Sequence, residues 1–351
     1  MRLAEILSQR RLDALIVSGP PNIRYLCGFT GSNGLLLVEA SGAAVLFTDP
    51  RYDIQARRQT DCPVNVAKQP LTKALLAVAR RRGLGRLGFE AARLSFAEHA
   101  ILSEGLWQGA RLEPQKDLVE CLRMVKSAAE IQAIRQSMLT VTKALPRALR
   151  SLRAGTLETE LAAEIDYQMR RLGAEKAAFD TIVLYGERTA QPHACPGPNP
   201  LQPNQLVLID VGAFREGYAS DMTRVVVKGS APQRLRRIHR AVLEAQAAAL
   251  EAVRPGVTAG AVDAAARRVL KRHGLEKAFT HSTGHGVGLE VHEAPRLGKQ
   301  DATPLEAGMV ITVEPGAYIE GVGGVRIEDT VVVTSNGCEN LTPAPKELLS
   351  L

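Results

Sequence analysis

The chain carries one carboxylate-bearing strand pair twice, and this duplication restricts the possible fold more than any other feature of its 351 residues. In the first copy VLIDVGA (207–213) carries Asp210, and DMTRVVV (221–227) begins with Asp221. In the second, ITVEPGA (311–317) carries Glu314 and EDTVVVT (328–334) begins with Glu328, so Asp210 aligns with Glu314 and Asp221 with Glu328. The repeat extends to helices. LRAGTLETELAAEIDYQMRRLG ends at Gly173 and VRPGVTAGAVDAAARRVLKRHG ends at Gly274; in each, Arg-x-Gly precedes the helical stretch and the two glycines stand 18 residues apart. Whole α+β units are duplicated, and two such halves pack about a pseudo-twofold axis.

Side chains alternate across a strand, so Leu206, Leu208 and Asp210 share one face while Val207, Ile209 and Val211 share the other. By the same rule Asp221 shares a face with Thr223, Glu314 with Thr312, and Glu328 with Thr330. The alternation predicts acids lining one side of a sheet whose other side is core. Four converging carboxylates repel one another and resist ionisation unless cations compensate, and two divalent ions balance four negative charges. His285, set between Gly284 and Gly286 in TGHGVGLEVHE, has little apolar neighbourhood to pack it and reads as a ligand. Carboxylate oxygens with one imidazole suit Mn²⁺, Co²⁺ or Zn²⁺. Ions of this kind activate water and polarise a carbonyl, so the residues point to metal-dependent hydrolysis of an acyl bond. Taken alone, His193 and His292 fit a site or a structural role equally, whereas His281 and His273 carry no motif and read as structural.

The remaining sequence excludes several classes. Five scattered cysteines, odd in number and without a CxxC pair, suggest neither a disulfide framework nor a thiolate zinc site, and fit a cytoplasmic compartment. The amino terminus lacks the apolar core of a signal peptide, and no apolar run approaches the roughly 20 residues of a membrane span. A net charge of +7 with 4% aromatic residues and no recognised motif argues against nucleic acid as a partner. Gly83-Leu84-Gly85-Arg86-Leu87-Gly88 has the letters of a dinucleotide fingerprint, but it follows a helical stretch and enters a strand, the reverse of the phosphate-binding order. Cys195, in a stiff Pro-Gly-Pro loop, is not read as a nucleophile. Before the duplication, Ala14–Val17 reads as a strand, Leu35–Glu39 and Ala43–Thr48 as a hairpin, Leu71–Arg82 as a helix and Arg86–Glu90 as a strand. Ser127-Ala128-Ala129-Glu130 is a capping box opening a helix with Ile131, Ile134 and Met138 on one side. The class is α+β, with a domain at 1–120 and a second at 121–351.

At this point the chain resembles the Xaa-Pro peptidases among the pita-bread metallopeptidases: prolidases, aminopeptidases P and methionine aminopeptidases. FDTIV, PH, IDVGA, SDMTR, TGHGVGLEVHEAP, EPGAY and GVRIEDT occur in family order, and TDPRYDIQA (48–56) resembles the creatinase-type amino-terminal domain. The resemblance implies that Asp210 and Asp221 hold one metal, that Asp221 and Glu328 bridge to a second, and that His285 and Glu314 complete it. It further implies Glu314 as general base, His193 and His292 as groups that bind substrate and steady the tetrahedral intermediate, and Arg326 as the arginine orienting a ligand carboxylate. Arg296 resembles the prolidase arginine that meets the free carboxylate of proline. The implied cofactor is two divalent ions, Mn²⁺ or Co²⁺ foremost and Zn²⁺ acceptable; the implied partners are Xaa-Pro dipeptides or short proline-containing peptides, and a second copy in a homodimer. Prolidase activity is expected first and aminopeptidase P activity on longer peptides second. Methionine aminopeptidases generally lack the amino-terminal domain, and a metal-free binding protein of the same fold is disfavoured because all five ligand positions are intact.

Overall fold

The structure, a computed structural model, describes residues 2–351; Met1, where the first expected domain begins, lies outside them. The chain divides into two compact units, Met1–Arg123 and Met124–Leu351. In the first, six strands lie in the order Val64–Val66, Ala44–Thr48, Gly34–Glu39, Ala14–Val17, Arg86–Glu90, Arg111–Gln115. The period-two alternation sends Ala14, Ile16, Leu35, Leu37, Leu87 and Phe89 to one face, beneath Leu75, Val78 and Ala79 of the helix Leu71–Arg81. Leu15, Val17, Leu36, Val38 and Leu46 go to the other, packed with Leu3, Leu7 and Leu118. A helix layer therefore covers each face.

The second unit holds the duplication as two α+β halves. The first half contributes the helices Ala128–Leu149 and Glu158–Arg171, with Ser127 and Glu130 forming the expected capping box. The second contributes Gln233–Ala252 and Ala259–Arg272. Each half has its sheet, one ordered Leu349–Ser350, Met222–Val227, Leu206–Val211, Ile182–Tyr185 and the other Glu293–Leu297, Gly284–Gly286, Val310–Val313, Asp329–Val333, Cys338–Asn340, antiparallel except that Leu349–Ser350 runs parallel to Met222–Val227. Even the turns repeat. Gly155 N–H donates to Leu201 O and Gly256 N–H to Leu305 O, both at 2.9 Å, and a β-bridge joins Leu157 to Pro200 as another joins Thr258 to Pro304. Both glycines have positive φ, 87° and 81°, which the absence of a Cβ permits at low cost.

The expected division into a polar and an apolar sheet face is not what the fold contains. Leu206 and Leu208, on the face of Asp210, are fully buried with Val225, Val227, Ile238, Val242 and Val262. On the opposite face Val207, Ile209 and Val211 pack with Met138, Val141 and Ile165. Both faces are core, and the acids occur only where strands run out from between helices: Asp210 next to the end of Leu206–Val211, Asp221 just before Met222–Val227, Glu314 just after Val310–Val313 and Glu328 just before Asp329–Val333. Alternation assigned the acids a face without registering that this face is covered along most of its length.

Candidate active site and metal centre

Strand ends from both sheets deliver their acids to one cavity of about 620 Å³. Asp210, Asp221, His285, Glu314 and Glu328 line it, together with His193, His292, Arg296 and Arg326. Asp221, His285 and Glu328 form the tightest group, each offering a ligand atom within 4.8 Å of the others; Asp210 and Glu314 line the cavity beside them. The glycines flanking His285 have a packing reason. A Cβ on Gly284 would stand 2.0 Å from Thr312 O, and one on Gly286 2.2 Å from Ala294 O, so only glycine lets this short strand fit between its neighbours.

Arg326, 2% exposed, organises two of the acids. Its Nη2 donates to Asp210 Oδ2 at 2.5 Å, its Nη1 to the Tyr318 hydroxyl at 2.7 Å, and its Nε to Thr223 Oγ1 at 2.9 Å. Thr223, opposite Asp210 in the strand ladder, passes the orientation on by donating to Glu328 Oε2 at 2.7 Å. One oxygen of each acid is thus fixed, while the other, Asp210 Oδ1 and Glu328 Oε1, is buried without a hydrogen-bond donor. Two orphaned carboxylate oxygens in a cavity with two further acids are what a cation-binding donor set requires, since a buried acceptor left unsatisfied is costly. The residues present therefore fit divalent metal.

The electrostatics agree with that fit. Burial, reinforced by Glu328, Asp210 and Glu314, pushes the Asp221 carboxyl well above the usual range; burial, with Glu314 and Asp210, does the same to Glu328. At Glu314 burial also pushes upward, but His285 prevails, with Nε2 3.3 Å from Oε1, and the carboxyl lies at about 2. At His285 burial lowers the pKa and Glu314 outweighs it, so the imidazole is raised. The His285 and His292 ring centroids are 4.3 Å apart, and burial, with His285 next, holds His292 below its ordinary value. His193 and His292 are exposed at the cavity's edge. Arg296 stands directly opposite His285 in the antiparallel ladder, which turns both side chains to the same side.

Four contributors escaped the sequence reading. Thr223 and Tyr318 lie inside the words SDMTR and EPGAY, so their positions were in view without their bonds. His281, read as structural, lines the cavity: its Nδ1 is 2.8 Å from Ser282 O and its Nε2 2.9 Å from the Tyr318 hydroxyl, continuing the chain that begins at Arg326. No spacing in the sequence announces that contact. Glu158, fully buried, accepts from Tyr185 N–H at 2.8 Å, Gly197 N–H at 2.9 Å, Asn199 Nδ2 at 3.0 Å and Arg188 Nε at 3.1 Å, tying down the loop that carries His193.

Residues 132–335 match the model of metallopeptidase family M24, and residues 1–125 that of the creatinase/prolidase N-terminal domain. The chain belongs to metallopeptidase family M24, and it is a divalent-metal-dependent hydrolase. An Xaa-Pro dipeptidase of Pyrococcus horikoshii is 36% identical over 352 residues, covering 99% of this chain and 97% of that protein. The structure of an Xaa-Pro dipeptidase from Bacillus anthracis superimposes with a TM-score of 0.97 at 36% identity, covering 100% of this chain and 98% of that one. That of an X-Pro aminopeptidase from Thermotoga maritima gives 0.93 at 35% identity, with 100% of both chains covered.

Proposed function

We propose that the chain hydrolyses the Xaa-Pro bond as a dipeptidase, using two divalent ions held by Asp210, Asp221, His285, Glu314 and Glu328, with Mn²⁺ or Co²⁺ the foremost candidates and Zn²⁺ acceptable. When bound, such ions supply Lewis acidity to the scissile carbonyl and make water a competent nucleophile at neutral pH. Glu314, ionised at neutral pH, takes the proton of the attacking water on its carboxylate and later returns it to the proline nitrogen. His193 and His292 hydrogen-bond the substrate and stabilise charge on the tetrahedral oxygen. Asp221 and Glu328 would each contribute a carboxylate to both ions. Arg326 holds Asp210 directly, and Glu328 through Thr223, so neither carboxylate reorganises during turnover. A homodimer is part of this reading, as is a cytoplasmic location, the latter supported by five free cysteines.

The observation that carries the dipeptidase assignment is Arg296, a cation one strand from His285 whose guanidinium has no hydrogen bond or ion pair among the described residues. A dipeptide carries its free carboxylate on the proline itself, where a guanidinium can pair with it by charge-assisted hydrogen bonds, whereas a longer peptide has an amide there. Aminopeptidase action on longer peptides is the second reading, favoured by the exposure of Arg296 at the cavity's edge. Steady-state kinetics with an Xaa-Pro dipeptide and an Xaa-Pro-Xaa tripeptide separate them. Arg296→Ala raises KM for the dipeptide at least about tenfold more than for the tripeptide. Equal effects on both remove the ground for ranking dipeptidase first.

A further inference from the structure

Beyond Arg296 the active-site cavity meets a second one of about 590 Å³, the two sharing His281, Ser282 and Arg296 as lining. Three cations line this outer cavity: Arg267, Arg296 and Lys299. Arg267 is committed, donating to Asp263 Oδ2 at 2.7 Å, to Phe279 O at 3.1 Å and to His281 O, with its guanidinium over the Phe279 ring. Asp301, the acid of the lining, is engaged with its own turn, accepting from Thr303 N–H at 2.9 Å. The side chains of Arg296 and Lys299 make no hydrogen bond or ion pair among the described residues. Lys299 follows the end of the strand Glu293–Leu297, inside the turn closed by Asp301 N–H donating to Gly298 O at 3.2 Å. Two uncommitted cations thus stand in succession, one at the boundary between the cavities and one in the outer cavity alone.

We infer that the outer cavity is an extension subsite for the residue after proline, and that Lys299 receives the terminal carboxylate of an Xaa-Pro-Xaa tripeptide. The inference rests on the Xaa-Pro reading and on Arg296 meeting the dipeptide carboxylate. One further residue moves the chain terminus on by about 3.8 Å along an extended peptide, past Arg296 and toward the second cation. Lys299 is a compact point charge on a flexible stem, suited to a carboxylate whose position varies with the last side chain. Exposure of Lys299 limits the strength of the pairing and makes it salt-sensitive. The chain would then discriminate peptide length by which of two cations meets the free carboxylate, and a peptide capped as its amide would gain from neither.

The test compares metal-loaded wild type, K299A and K299E on three substrates: an Xaa-Pro dipeptide, an Xaa-Pro-Xaa free acid and the same tripeptide as its amide. K299A is expected to raise KM for the free-acid tripeptide about three- to fivefold, and K299E further, with kcat and the dipeptide and amide values unchanged and the shift shrinking in high salt. Shifts that are equal for acid and amide, or absent from both, overturn the inference while leaving the Xaa-Pro reading intact. So does a wild type that cleaves the dipeptide and neither tripeptide. No turnover of any of the three by wild type overturns the Xaa-Pro reading and the inference with it.

Discussion

Arg326 is the residue on which the acids of the site depend most. Its planar fork donates to Asp210, Thr223, Tyr318 and the Pro192 carbonyl, and an ammonium cannot reproduce that geometry. Arg326→Ala is expected to lower activity or metal affinity by about ten- to a hundredfold, with Arg326→Lys close behind; full activity in the lysine variant would contradict the orienting role. The bridging assignment makes a second prediction. Asp221→Ala or Glu328→Ala should deplete both metal positions, whereas Asp210→Ala should mainly empty one, as read by metal analysis of dialysed protein. Two ions per chain in Glu328→Ala would refute it. At this scale the sequence supplied identities but not contacts. The matched acids were visible because duplication placed them at equivalent strand ends, whereas the link from Arg326 through Tyr318 to His281 joins residues whose spacing has no periodicity.

At the scale of elements, the loop bearing His193 is held by the fully buried Glu158, which opens the helix Glu158–Arg171. Removing its carboxylate strands the donors of Tyr185, Gly197 and Asn199 and leaves Arg188 without its ion-pair partner. Glu158→Ala is therefore expected to cost about 3 kcal/mol of stability and to lower kcat/KM while bound metal is unchanged. Thermal melting, metal analysis and kinetics on one preparation check this, and metal loss would show that Glu158 supports the donor set instead. Strand and helix positions were legible because period-two and capping signals are local. The burial of both sheet faces was not, since Leu206 and Leu208 look the same in sequence whether the helix above them is present or absent.

Across the whole molecule, duplication explains why one cavity collects acids from two sheets: each half turns equivalent strand ends toward the same place. Such a site carries the cost of burying its acids and their mutual repulsion, which together raise the Asp221 and Glu328 carboxyls, and a ligand that binds only the folded state relieves both. Divalent ion at about a hundred times its dissociation constant adds about 2.7 kcal/mol by mass action, so the melting temperature rises with metal. The central claim is that these five side chains make a metal-dependent Xaa-Pro hydrolase. Its most direct measurement is hydrolysis of an Xaa-Pro dipeptide by chelator-stripped protein as Mn²⁺ is titrated back, with bound metal counted in the same samples. Activity absent from the stripped protein and restored in step with metal occupancy is the predicted result; undiminished hydrolysis by metal-free protein would contradict the account.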